Sequence, residues 1–213
     1  IRQAYRAHVT TMLTLAGVVD PEAAADRAID LETQLASHHW DRVACRDAQK
    51  TYNPMAAAEL AALTPSFDWQ TWSAAAKVEP AVIAEVIVAQ PSYLTGLETL
   101  LTEDLLESWR DWLRWQLVHG AAGYLSDAFV EANFEFYGRT LQGTDELRPR
   151  WKRGIGFVEG SMGEAIGKIY VRTQFGAEAK SRMTELIANL IEAYRISITE
   201  LSWMSAEAKT QAL

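Results

Sequence analysis

The sequence predicts a nearly all-α protein, and three observations carry this. Apolar residues recur at helical spacing over most of the 213 residues. Helix-start residues stand in front of several of these periodic segments. Only one run, 82–90 (VIAEVIVAQ), is rich enough in β-branched residues to read as a short strand.

The elements follow in order. Residues 1–17 place Tyr5, Val9, Met12, Leu13 and Ala16 on one helical stripe. Asp20-Pro21 then opens a second helix, with Asp as N-cap and Pro in the first turn. That helix is expected to run to about Trp40. Asn53-Pro54 is a turn signal, and a short helix follows in MAAAELAAL. After the turn at Thr64-Pro65-Ser66, FDWQTWSAA starts another. The strand-like run 82–90 has no evident partner in the chain, so its partner is expected in sequence outside it. Pro91 begins a helix to about Leu101. Thr102 is placed to cap the next, with Glu103 and Asp104 in its first turn. Trp109, Trp112 and Trp115 fall on one side of that helix. A further helix is expected from Ser126 to about Leu141. The last third reads as two long helices, the second carrying Met183, Leu186, Ile187, Leu190, Ile191 and Tyr194 on a sustained apolar face. With no repeat, low-complexity linker or clear boundary, residues 1–213 read as a single helical domain.

Composition narrows the function classes. The net charge is −8 and the pI near 5.1. Phosphate binding needs clustered Lys and Arg, so nucleic acid is not an expected partner. The one basic cluster, Arg148, Arg150, Lys152 and Arg153, is small. No run approaches the roughly 20 apolar residues of a membrane span. Both ends fall inside helical patterns and look cut. The single cysteine, Cys45, permits no internal disulfide, which fits a cytoplasmic protein or a secreted bacterial one.

Candidate chemistry is sparse. Zincins place two His at i and i+4 with a Glu between them. His8, His38, His39 and His119 offer no such spacing, and no Glu-x-x-His is present. Adjacent His38 and His39 would point about 100° apart on a helix. Asp127, Glu131 and Glu135 share a helix face and read as solvated. Cys45 has Arg42 and Arg46 nearby but no His placed as its base. Gly154, Gly156 and Gly160 do not form a phosphate loop. The i, i+4 pairs Gly156/Gly160 and Gly163/Gly167 suggest close helix contact, since each glycine costs roughly 1 kcal/mol of helix propensity. The tryptophans read as core. No catalytic, cofactor-binding or metal-ligating residue is assigned.

The stretch 148–175, RPRWKRGIGFVEGSMGEAIGKIYVRTQF, is the most distinctive. Its Trp-Lys-Arg segment precedes a helix with Val158, Met162, Ala165, Gly167, Tyr170 and Val171. This resembles the helical-domain signature of the neprilysin-like zinc metallopeptidases, family M13, of bacterial PepO or mycobacterial zinc metalloprotease type. The opening AYRAHVTTMLTLAGV, then LETQLASHHW, KTYNPMAAAELAALTPSFDW and the closing LSWMSAEAKTQAL are similar to further family segments, in family order. Two positions depart. Gly154 stands where animal members usually have a disulfide-forming cysteine, which points to a bacterial member. Ser205 replaces a common Asp but can still cap the final helix.

The resemblance implies a multi-helix lid lobe of a two-lobed zinc peptidase. In such enzymes the lobes enclose a chamber that admits oligopeptides and excludes folded proteins. The His-Glu-x-x-His helix, the later Glu ligand and the substrate-holding segment would lie beyond Leu213. The expected function is therefore the N-terminal lid portion of a zinc-dependent endopeptidase, itself non-catalytic. Zinc would be the parent's cofactor and peptides its substrates. The alternative is a non-enzymatic helical protein-binding module.

Overall fold

The computed structural model describes residues 1–213 and is nearly all α-helical. The chain forms two compact units, residues 1–147 and 148–213.

In the first unit, α1 (Arg2–Leu15) buries His8, Val9, Met12 and Leu13. It ends in a glycine cap. Gly17 takes φ 73°, and the amides of Gly17 and Val18 donate to the carbonyls of Thr14 and Leu13. This pair of bonds satisfies carbonyls the helix leaves orphaned. The turn seats Val18 against the core. α2 (Pro21–Ser37) follows, with the Asp20 carboxylate accepting from the Ala23 amide at 3.5 Å. It stops three residues short of Trp40, because His38 already serves as its C-cap.

α2 packs along α6 (Leu106–Ala121), and α1 crosses both. Val9, Met12, Leu13, Ala24, Ala25, Ala28, Trp115 and Ala122 make the main core. Leu31, Leu35 and Leu100 make a second cluster, and Trp112 packs against both. The small residues Ala24, Ala25 and Ala28 let α2 approach its neighbours closely, and the indoles supply the volume. α6 is entered through a 3₁₀ turn, Glu103–Leu105, and the Thr102 side chain makes no capping bond there. The tight turn takes the place of the expected cap.

The strand-like run shortens to β2 (Glu85–Ile87), and its partner lies within the chain. It pairs antiparallel with β1 (Pro54–Ala56), joining Pro54 to Ile87, Met55 to Val86 and Ala56 to Glu85. Proline has no N–H to give a ladder but is tolerated as a strand's first residue, so Asn53-Pro54 starts β1 as well as turning the chain. Of the short helices α3 (Ala57–Leu63), α4 (Trp69–Ala75) and α5 (Pro91–Glu98), α3 packs against both β1 and α5. Asp68 caps α4, accepting from the amides of Gln70 and Thr71.

α7 (Asp127–Asn133) does not continue as an α-helix to Leu141. Residues Phe134–Leu141 form a π-helical segment. Its wider turn sets consecutive side chains closer in direction than an α-helix does. Phe136 and Tyr137 can therefore both address α1. Gly138 is required there, because a Cβ would overlap the Phe134 ring.

The second unit holds α8 (Arg150–Gln174), α9 (Ala177–Glu200) and α10 (Ala206–Ala212). α8 is kinked at Met162 (φ −149°, ψ 33°), just after the Gly160-Ser161 pair. Ser205 caps α10 through the Ala208 amide, and Lys209 Nζ reaches back to the Thr199 carbonyl of α9. None of the three helices buries a residue.

Candidate functional site

The four histidines go to two places, and both are built by packing. His38 closes α2 with its ring against Gly96, where a Cβ would overlap it. His39 stacks on Tyr93 with centroids 4.2 Å apart. The pair thus diverges, as expected for neighbours at a helix end.

His8 and His119 meet in an aromatic cluster that their sequence separation hides. His8 stacks on Phe136 at 5.0 Å and sits edge-on to Trp115 at 5.5 Å and Tyr137 at 5.4 Å. His119 lies 5.1 Å from both Trp115 and Tyr137. His8 Nε2 and His119 Nδ1 are buried with no hydrogen-bond partner. Burial, then His119, holds the His8 imidazole down at about 4. A polar chain borders the cluster. Trp115 Nε1 donates to Tyr5 Oη at 3.1 Å, Tyr5 donates to Glu32 at 2.9 Å, and Gln116 donates to the other Glu32 oxygen at 3.1 Å. Burial and Glu32 push the Tyr5 phenol well above its ordinary value.

Asp111 forms a site that its sequence context does not reveal. Its carboxylate is 1% exposed and is gripped by Arg27 at 2.7 Å and Arg114 at 2.9 Å. The Asp111-x-x-Arg114 spacing was legible, but the link to Arg27 spans 84 positions. With Asp20 and Glu107, these groups line a cleft of ≈ 580 Å³. Two cations facing three carboxylates leave it nearly balanced, so it favours neither anion nor cation.

The other candidates stand apart. Asp127, Glu131 and Glu135 do not act together: Glu135 pairs with Arg139 at 2.6 Å. Cys45 is exposed, and its thiol faces the Trp40 carbonyl at 3.7 Å. Trp109 donates to the Leu100 carbonyl at 2.8 Å, and Trp115 is buried, so the tryptophans build core. In the basic cluster, Arg153 donates to the Arg148 carbonyl and Lys152 lies over Trp151. The expected close contact at the α8 glycines is not made. A Cβ at Gly156, Gly160, Gly163 or Gly167 would meet nothing within 4 Å.

No three His, Cys, Asp or Glu side chains converge as metal ligands. The residues of this chain therefore assemble no zinc site. No helix is long and apolar enough to cross a membrane. What stands out in the second unit is apolar surface. Met183, Leu186, Ile187, Leu190, Ile191 and Tyr194 form one stripe of α9, each 45–63% exposed. On α8, Ile155, Phe157, Ile169 and Tyr170 are similarly open.

Comparison with known proteins decides the family. The profile of peptidase family M13, N-terminal part, matches residues 1–213. The chain belongs to family M13. Among M13 relatives, mouse membrane metallo-endopeptidase-like 1 is 29% identical over 226 aligned residues, covering 100% of this chain and 29% of that protein. The neutral endopeptidase of Lactobacillus helveticus is 27% identical, covering 95% of the chain and 31% of the relative. Among solved structures, the Mycobacterium tuberculosis zinc metalloprotease Zmp1 in complex with an inhibitor superimposes with TM-score 0.83. It is 43% identical over 99% of this chain and 32% of its own. The M13 chain described here thus spans about a third of the length of these relatives.

Proposed function

We propose that this chain is the lid part of a longer zinc-dependent M13 endopeptidase that hydrolyses oligopeptides. Its helices would bound the substrate chamber and contribute no catalytic residue. The match to family M13 over residues 1–213 carries this proposal. The open apolar faces of α8 and α9 support it, because patches of that kind mark surfaces that something else covers. The occupant we propose is the remainder of the parent chain, which would also carry the zinc. There the metal would activate water and polarise the scissile carbonyl. The lid would act by size selection and by holding bulk water away from the reacting groups.

The test is made on the longer parent protein. It should cleave a quenched oligopeptide, lose that activity to a chelator, and leave a folded protein of the same composition intact. A parent inert towards peptides would favour the protein-binding module instead. Cleavage of folded and unfolded chains at equal rates would remove the chamber.

A further inference from the structure

We propose that His8 and His119, with the rings that enclose them, form an acid-sensitive latch. It holds α1 onto α6 and the π-helical segment, and it releases α1 when His8 takes a second proton.

The geometry makes the latch. His8 projects from α1 and is 5% exposed. Three rings surround it: Phe136 face-on, and Trp115 and Tyr137 edge-on. A backbone hydrogen bond at Ala132 is its one polar support. Nε2 has no partner, so it is the nitrogen left to receive a proton, and the imidazolium N–H formed there would find no acceptor. A buried donor without a partner, on a ring carrying charge, is costly. In water the same proton is well solvated. Protonation therefore favours a state in which His8 has left the cluster.

The Ala132 backbone compensates only in part, and no charged neighbour adds to it. From α1 itself comes Tyr5, whose phenol is bonded to Glu32 of α2. From α6 comes His119, which opposes a charge on His8. α7 contributes the Ala132 backbone. The π-helical segment contributes Tyr137 and Glu135. Glu135 lines the same cavity of ≈ 260 Å³ as His8, but its carboxylate is committed to Arg139. Glu32 is held by Tyr5 and Gln116.

The sign follows from linkage. His8 titrates near 6.5 when released and at about 4 when latched. Between these values the released state binds more protons. The latch is at full strength above pH 6.5, weakens as pH falls towards 4, and changes no further below that. One proton changes the latched-to-released ratio by up to about tenfold per pH unit in that window.

The experiment is amide hydrogen exchange of the 213-residue chain from pH 7 to pH 4.5, corrected for intrinsic exchange. It reads Val9, Met12 and Leu13 of α1. Their protection is expected to fall by up to about tenfold per pH unit, and this dependence is expected to vanish in His8→Phe. Protection that is flat with pH in the unmodified chain, or that falls equally in His8→Phe, would overturn the latch. Should His8→Phe fail to fold, the His8 ring resonance of the unmodified chain decides. A ring that stays neutral to below pH 5 while α1 is protected supports the latch, and one that titrates near 6.5 with α1 protection unchanged overturns it.

Discussion

Asp111 is the most deeply buried carboxylate of the first unit. Its carboxylate is almost fully buried and answers two guanidinium groups, one from its own helix and one from α2. Replacing it with Asn removes the charge and keeps the shape, leaving two arginines to find other partners. Both are partly exposed, so water recovers some of the loss. The expected cost is about 2 kcal/mol, below that of breaking a fully buried pair. Urea unfolding of Asp111→Asn measures it, and an unchanged midpoint would show that the pair is idle. Gly96 is the companion case. His38 occupies the space a side chain would need, so Gly96→Ala should cost about 1–3 kcal/mol through overpacking. A thermal melt checks this, and a raised melting temperature would contradict it. Neither residue was singled out from sequence. Each depends on a partner that only the fold brings near: Asp111 pairs with Arg27 across 84 positions, and Gly96 meets His38 from another helix.

Elements were legible where local chemistry decides them. Asp20-Pro21 starts α2, and Asp68 starts α4 through two amides, so Asp68→Ala should cost about 1 kcal/mol of stability. A circular-dichroism melt of that variant checks it. The Gly17 cap of α1 is equally local, but this glycine was not singled out from sequence. The π-helical segment was not legible. Its apolar spacing fits an α-helix as well, and the wider turn is fixed by Phe136 and Tyr137 packing on α1. The β1–β2 ribbon was half legible. β2 announces itself with Val86 and Ile87, whereas β1 is three residues opening on a proline. The α8 glycines give the sharpest prediction at this scale. With open space at Gly167, Gly167→Ala should stabilise the 213-residue chain by up to about 1 kcal/mol, through helix propensity alone. In the longer parent, where we propose that this face is covered, the same change should be destabilising. Melting both proteins with and without it tests this, and an equal gain in both would mean the glycines face nothing there either.

For the whole molecule, the fold class was readable because helical periodicity dominates the chain, and the family because its segments occur in order. The division into units 1–147 and 148–213 was not, since no linker composition marks residue 147. The two units differ in kind. The first has a core of its own around Trp115 and Met12, and the second exposes its apolar residues. That contrast makes physical sense if the second unit belongs to a larger assembly. The central claim is that these helices shape a peptidase chamber without performing the chemistry. The most direct test is hydrolysis of one quenched oligopeptide by residues 1–213 alone and by the longer parent, each with zinc and with a chelator. The account predicts no cleavage by residues 1–213 under either condition, and cleavage by the parent that the chelator abolishes. Cleavage by residues 1–213 alone would contradict it.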